Sequence, residues 1–154
     1  MAFKGHDWVR YNYKNIKGYI LSFENHEYLS PTFHSEFIYM GEHWSCVGEA
    51  YDCLEKDNPE LSDSQKIHTM GSILYYFFKQ KPILADQLIS TEDFWIEPQV
   101  TNHDNFWFKC KCPNCFFEEA TNCYGRLLME IRDRLIWERK PKHKASKRWF
   151  KRYF

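Results

Sequence analysis

The segment from Ser62 to Phe77 constrains the fold more than any other. Ser62 is a good helix N-cap, and Gln65, three residues later, completes a capping box. Ile67, Met70, Ile73, Leu74 and Phe77 then recur at helical spacing and form one apolar stripe. A helix with such a stripe must bury it against other elements, and the rest of the chain supplies them. The spacing predicts a helix from about 47 to 55, ended by Asp57-Asn58-Pro59, because proline disfavours helical geometry in the residue before it. Pro82 opens a further helix carrying Ile83, Leu84, Leu88 and Ile89, which stops near Thr91. A last helix packs Leu127, Leu128, Ile131, Leu135 and Ile136 on one face, with Arg132, Arg134 and Arg139 lying elsewhere. Aromatic and branched runs at 8–13, 19–23, 37–40 and 94–98 read as short strands. The segment 102–119 reads as irregular. The expectation is one α+β domain, mostly helical with short N-terminal strands, over residues 1–138.

Beyond it lies a different composition. The chain has 154 residues and zero net charge, but residues 139–154 hold eight Lys and Arg and no acid. Trp149, Phe150, Tyr153 and Phe154 interleave with those cations. Cations mixed with stacking rings suit nucleic acid, through its phosphates and exposed bases; the alternative is a tail that folds back onto the acidic body. Aromatics make up 19% of the chain; most are expected to fill the core, and some to wall a pocket. No apolar stretch nears the roughly 20 residues that span a bilayer, and the N-terminus lacks the apolar core of a signal peptide. The expectation is a soluble cytoplasmic protein with no membrane partner.

Four of the six cysteines are clustered, and Cys46 and Cys53 stand apart. Cys110, Cys112 and Cys115 fall within six residues, with Cys123 eight further on. In a reducing compartment this pattern favours metal over disulfides. Three thiolates at this spacing can wrap a zinc ion, with Cys123 as the expected fourth ligand of a closed structural site and His103 as the other candidate. The alternative is a set of reduced, partly buried thiols.

From Lys66 to Arg132 a further pattern runs in order. Lys66, Met70 and Phe78 are followed by Gln80, Pro82 and Leu84, then Leu88 and Thr91, then Ile96 and Glu97. Asp104-x-x-Trp107 comes next, and the series ends in Asn122-x-x-Gly125-x-x-x-Met129-x-x-Arg132. In spacing and order these motifs resemble those of the NADAR (YbiA-like) family. Leu29-Ser30, Gly41, Trp44 and Ala50-Tyr51 fit the family's N-terminal layout, so the resemblance spans about residues 20–137. It implies hydrolysis of N-glycosidic bonds in ADP-ribosylated bases or ribosylamino-pyrimidine intermediates of riboflavin synthesis, with no organic cofactor. Two positions depart from the family: its helix Glu falls at Gly48, and the Trp before its second helix falls at Ser62.

Such a reaction builds positive charge on the sugar, so it needs a carboxylate near the anomeric carbon. Asp104 is the first candidate; its alternative is to cap a turn. Glu49, one helical step or about 100° from Gly48, is the displaced general-base candidate, or else a solvent-facing residue. Trp107, Trp44 and Tyr51 are candidates to hold a flat base, and Glu97 to line the pocket or simply end a strand. Asn122 is expected to cap the last helix or offer its amide to a ligand at a helix N-terminus that favours phosphate. Arg126 and Arg132 are phosphate candidates, or solvated helix-face arginines. Three functions remain open: an N-glycosidase, a silent protein that binds or sequesters an ADP-ribose-like nucleotide, and a zinc-stabilised nucleic-acid or protein interaction module.

Overall fold

In the computed structural model the described residues are 16–141. The expected strand at 8–13, and the basic tail beyond residue 141, lie outside them. Four helices carry the fold: α1 (Val47–Asp57), α2 (Asp63–Lys79), α3 (Pro82–Ser90) and α4 (Cys123–Glu138). Six short strands join them: β1 (Tyr19–Ile20), β2 (Phe37–Tyr39), β3 (Glu42–Trp44), β4 (Trp95–Ile96), β5 (Gln99–Val100) and β6 (Lys109–Cys110). They form three two-stranded pairs: β1 parallel to β4, β2 antiparallel to β3, and β5 parallel to β6. The α+β expectation holds.

The α2 helix sits at the centre, packed on α1, α3, α4 and β2. Its capping box forms in full: Ser62 Oγ accepts from Gln65 N at 3.2 Å, and Gln65 Oε1 accepts from Ser62 N at 2.8 Å. All five residues of the predicted stripe are buried, each side chain stabilising the fold by about 1.5–3 kcal/mol. At its end Gln80 behaves like a strand residue. Its Nε2 donates to Ile38 O at 2.7 Å and its Oε1 accepts from Ile38 N at 2.8 Å, which fastens the exposed edge of β2. The β2–β3 hairpin turns at Met40 and Gly41, both at positive φ, as two-residue hairpins of the favoured twist require.

Two helical expectations need correcting. Ile83 points to solvent, 76% exposed, because Pro82 at the first turn of α3 sets a phase that buries Ala85 and Leu88. Arg132, expected off the apolar face, is wholly buried on α4. There its Nη1 donates to Thr91 Oγ1 and to Phe94 O, both at 2.9 Å. The same face carries a second clamp. Asn122 Nδ2 donates to Ile96 O at 2.8 Å, and Met129 Sδ accepts from Ile96 N at 3.4 Å. Both backbone groups of one β4 residue are thus answered by side chains, Met129 of α4 and Asn122 just before it. Gly125 is required between them: a Cβ there would lie well under 3.0 Å from Ile96 O, and 2.5 Å from Asn122 Oδ1.

Candidate functional site

The turn after His103 is built by Asp104. Its Oδ1 accepts from Phe106 N at 3.0 Å and Trp107 N at 2.8 Å, so the turn-capping reading of this residue holds. The turn then runs beside the entry to α4. Thr121 N donates to Asn105 O, Cys123 N to Phe106 O and Tyr124 N to Trp107 O, at 2.8, 2.9 and 3.0 Å. These bonds change the reading of Asn122. It precedes α4 with φ of +51° and makes no side-chain cap; its amide goes to Ile96 instead, and its Oδ1 is buried without a hydrogen-bond partner. The first two N–H groups of α4 are taken by backbone carbonyls rather than left open for a phosphate.

The turn meets an aromatic wall. Trp107 packs edge-on against Tyr51 of α1 at 5.3 Å between centroids and against Phe106 at 4.7 Å. Trp107 is half-buried and Tyr51 buried. Burial pushes the Tyr51 phenol well above its usual range, and the nearby Glu55, Asp52 and Asp63 push it further. The neighbouring Cys123 thiol is pushed up to about 12, chiefly by burial; Arg126 opposes this, and Asp63 and Asp104 add to it. Asp63, Asp104 and Arg126 therefore all bear on one small region. Asp63 was not singled out from the sequence; its only signal was its place next to Ser62, where the family pattern has a Trp. Arg126 itself donates Nε to Thr121 O at 2.9 Å, with its guanidinium 5.2 Å from the centre of the Trp95 ring.

The other predicted residues stand apart from this group. Glu49 is exposed in the first turn of α1, where its Oε2 accepts from Ser45 N at 2.8 Å and also from Ser45 Oγ. Those two hydrogen bonds hold its carboxyl below the ordinary value, with a smaller contribution from His34. Gly48 presses on the loop before it: its N–H donates to Pro31 O at 2.7 Å, and an added Cβ would meet that oxygen at 3.1 Å. Ser62 is engaged in its capping box. Trp44 belongs to the hairpin, its indole N–H donating to Tyr39 O at 3.2 Å. Glu97 is half-buried, with its backbone N–H on Ile20 O at 2.9 Å. A cleft of about 520 Å³ opens elsewhere, among Asn25, His26, Tyr28, Phe33, Gln87 and Phe94, and contains none of the predicted site residues.

The cysteines resolve differently from the expectation. His103, Cys110, Cys112 and Cys115 bring one ligand atom each to within 4.8 Å of the others, a set that can hold a metal ion. His103 Nδ1 lies 3.3 Å from both Cys112 Sγ and Cys115 Sγ. Cys123, the expected fourth ligand, is not among them. As the first residue of α4 it packs into the main apolar core, and His103 takes its place. Within the cluster, burial raises the Cys110 thiol, but hydrogen bonds from Cys112, His103 and Cys115 outweigh it and the net shift is downward. Burial and the two neighbouring cysteines push Cys115 up to about 12.

Together these features define an α+β domain in which an Asp-capped turn, an aromatic pair and a thiol-rich cluster are collected at the entry to the last helix. The fold is YbiA-like: it is similar to the NMR structure of the E. coli protein YbiA, with a TM-score of 0.63 over 85% of this chain and 90% of that one, at 17% identity. At that identity the likeness shows the fold alone. No family model and no curated protein sequence matches the chain. No helix among the described residues is long and apolar enough to cross a membrane.

Proposed function

We propose that the chain takes an ADP-ribose-like or otherwise ribosylated nucleotide beside the Asp104–Trp107 turn and hydrolyses its N-glycosidic bond. The observation that carries this reading is the junction of Asp104 with the Trp107–Tyr51 pair, on a YbiA-like fold. A base stacked on an aromatic side chain gains about 1–3 kcal/mol. A carboxylate beside the sugar stabilises the charge that develops as the bond to the base breaks, and can activate water. Asp104 offers that carboxylate and Arg126 a nearby cation, while Glu49 contributes only if its side chain leaves Ser45. Basic residues 139–154 would hold a nucleic-acid substrate.

A second reading, a protein that binds such a nucleotide without cleaving it, is favoured by one observation. The backbone of Pro31 sits so close to Gly48 that a side chain there requires the loop to give way, and Glu49 is engaged by Ser45. One assay separates the two. The chain is incubated with ADP-ribosylated guanine DNA, with ribosylamino-pyrimidine phosphate, and with NAD and ADP-ribose, and free base and retained ligand are quantified by mass spectrometry. Release of base that disappears in Asp104→Asn supports hydrolysis; retention of uncleaved nucleotide over hours supports the second reading; neither release nor retention rejects both. The metal suited to one imidazole and three thiolates is zinc, in a cytoplasmic setting that keeps the thiols reduced.

A further inference from the structure

The four candidate ligands bracket the Asp104–Trp107 turn. His103 immediately precedes Asp104, and Cys110 follows Trp107 by three residues. Cys110 and Cys115 are buried, 0% and 6% exposed, yet neither belongs to the main apolar core. They are buried against their own cluster. Around it the backbone is shaped to close. His103 adopts φ of +65°, a left-handed conformation that carries strain for a residue with a side chain. Asn105 Oδ1 accepts from Cys110 N at 2.8 Å, while its Nδ2 donates to Glu118 Oε2 at 3.0 Å. Lys109 Nζ reaches back to the carbonyls of Cys115 at 3.2 Å, Phe116 at 3.4 Å and Glu118 at 2.6 Å. Asn105 and Lys109 thus fold the loop from both sides around the buried sulfurs of Cys110 and Cys115, with Cys112 half-buried and the His103 imidazole on the exposed side. Phe116 and Phe117 are 61% and 93% exposed, so the tip of this loop has little hydrophobic anchorage.

The spacing suits an ion. Zinc bonds of about 2.3 Å to sulfur and 2.0–2.1 Å to nitrogen place N and S about 3.6 Å apart in a tetrahedron, close to the two observed separations of 3.3 Å. We infer that zinc, held by His103 Nδ1 and the thiolates of Cys110, Cys112 and Cys115, is the tie that holds the Asp104–Trp107 turn against the start of α4. All four coordination positions are filled by protein, so the ion is structural and takes no part in bond cleavage. Loading displaces the thiol protons to solvent. Nucleotide binding at the turn then depends on the ion, a consequence that rests on the function proposed above.

The test uses the full chain, purified under reducing conditions. Elemental analysis is expected to give about one zinc per chain. Cys123→Ala should keep it, whereas His103→Ala and Cys112→Ser should each weaken metal retention against a chelator by about tenfold or more. Stripping the metal should speed amide exchange at Phe106 and Trp107, the two donors to Asp104, by at least about tenfold while leaving α2 unchanged. Loss of zinc in Cys123→Ala, or retention in His103→Ala, would overturn the ligand set. Unchanged exchange at Phe106 and Trp107 would overturn the role as a tie. Should the variants fail to fold, cobalt loading of the unaltered chain decides the ligands: strong thiolate charge-transfer and intense tetrahedral visible bands are expected, and a weak octahedral spectrum overturns the site. No readout here uses a nucleotide, so failure of the hydrolase or binder reading leaves this result standing, and the reverse.

Discussion

Replacing Gly125 with alanine sets two physical effects against each other with opposite signs. Helix propensity alone says that alanine stabilises an interior helix position by about 1 kcal/mol relative to glycine. The packing of α4 on β4 says the reverse. The new Cβ would collide with the backbone oxygen of Ile96 and with both terminal atoms of the Asn122 amide, and a backbone oxygen cannot rotate away as a side-chain tip can. Forcing a methyl into a filled site costs about 1–3 kcal/mol. Displacing the Asn122 amide leaves a buried carbonyl unanswered, for about 1–3 kcal/mol more. After subtracting the helix gain, the net loss is about 1–5 kcal/mol, or about 2–20 °C in Tm for a domain of this size. Urea unfolding followed by far-UV circular dichroism measures it, with Gly71→Ala in α2 as the control. The added methyl there meets only the mobile end of Leu127, at 2.9 Å, and the change should be small. If Gly125→Ala is as stable as the unaltered chain, the clamp on Ile96 does not hold α4.

Other substitutions test other links. Arg132→Lys keeps the charge but loses the planar guanidinium that carries Nη1 to Thr91 and Phe94, and should destabilise by about 2–4 kcal/mol in the same assay; a change below about 1 kcal/mol would contradict the assigned contacts. Asp104→Asn keeps an oxygen for the Phe106 and Trp107 amides, so its amide exchange should match the unaltered chain while base release is lost, whereas Asp104→Ala should lose both; equal exchange in both variants would show that the cap is dispensable. Burial raises the Glu138 carboxyl, but hydrogen bonds from Tyr75 and Lys79 and the charges of Lys79 and Arg134 outweigh it, so the group titrates below its ordinary value. Its stabilisation is therefore full above about pH 4.3 and is lost as pH falls through the folded-state value. Glu138→Gln should flatten the acid limb of stability against pH, and an unaltered limb would refute the sign. Gly48→Glu, which places an acid where the resembled family has its Glu, asks the Pro31 carbonyl to give by a few tenths of an ångström and should not raise base release; a gain in release would show that the added carboxylate reaches the bond.

The sequence was most readable where periodicity and turn chemistry decide the outcome. The Ser62–Gln65 capping box, the α2 stripe, the stop at Asn58-Pro59 and the start at Pro82 follow from local rules, and each appears as expected. The two-residue strands β5 and β6 and the partner of Gln80 arise from contacts made across the chain, which no local pattern carries. The same holds for Arg132 and Asn122, read as a ligand group and a cap. Each is a polar side chain whose burial is decided by an element about 26 to 41 residues away in sequence. The ordered motifs led to the right fold because many of their members build it. Gln80 fastens β2, Thr91 and Arg132 join α3 to α4, and Asn122, Gly125 and Met129 grip β4. A motif that records packing identifies a fold more securely than a reaction, and the departure at Gly48 falls where the resemblance implies a general-base Glu. Among the thiols, spacing pointed to the three cysteines that the fold brings together with a histidine, but the choice between Cys123 and His103 depended on which one the helix start draws into the core.

The grip of α4 on Ile96 also orders events during folding. Until the last helix docks, Ile96 presents an open N–H and an open carbonyl on β4, and the carbonyl of Leu29 lacks the Tyr124 hydroxyl that reaches it across 95 residues. A chain caught at that stage has collapsed helices and one unguarded strand edge, the kind of surface on which neighbouring chains pair. Refolding yield should therefore fall as protein concentration rises. A synthetic α4 peptide added in excess should recover part of that yield by closing the edge before another chain does.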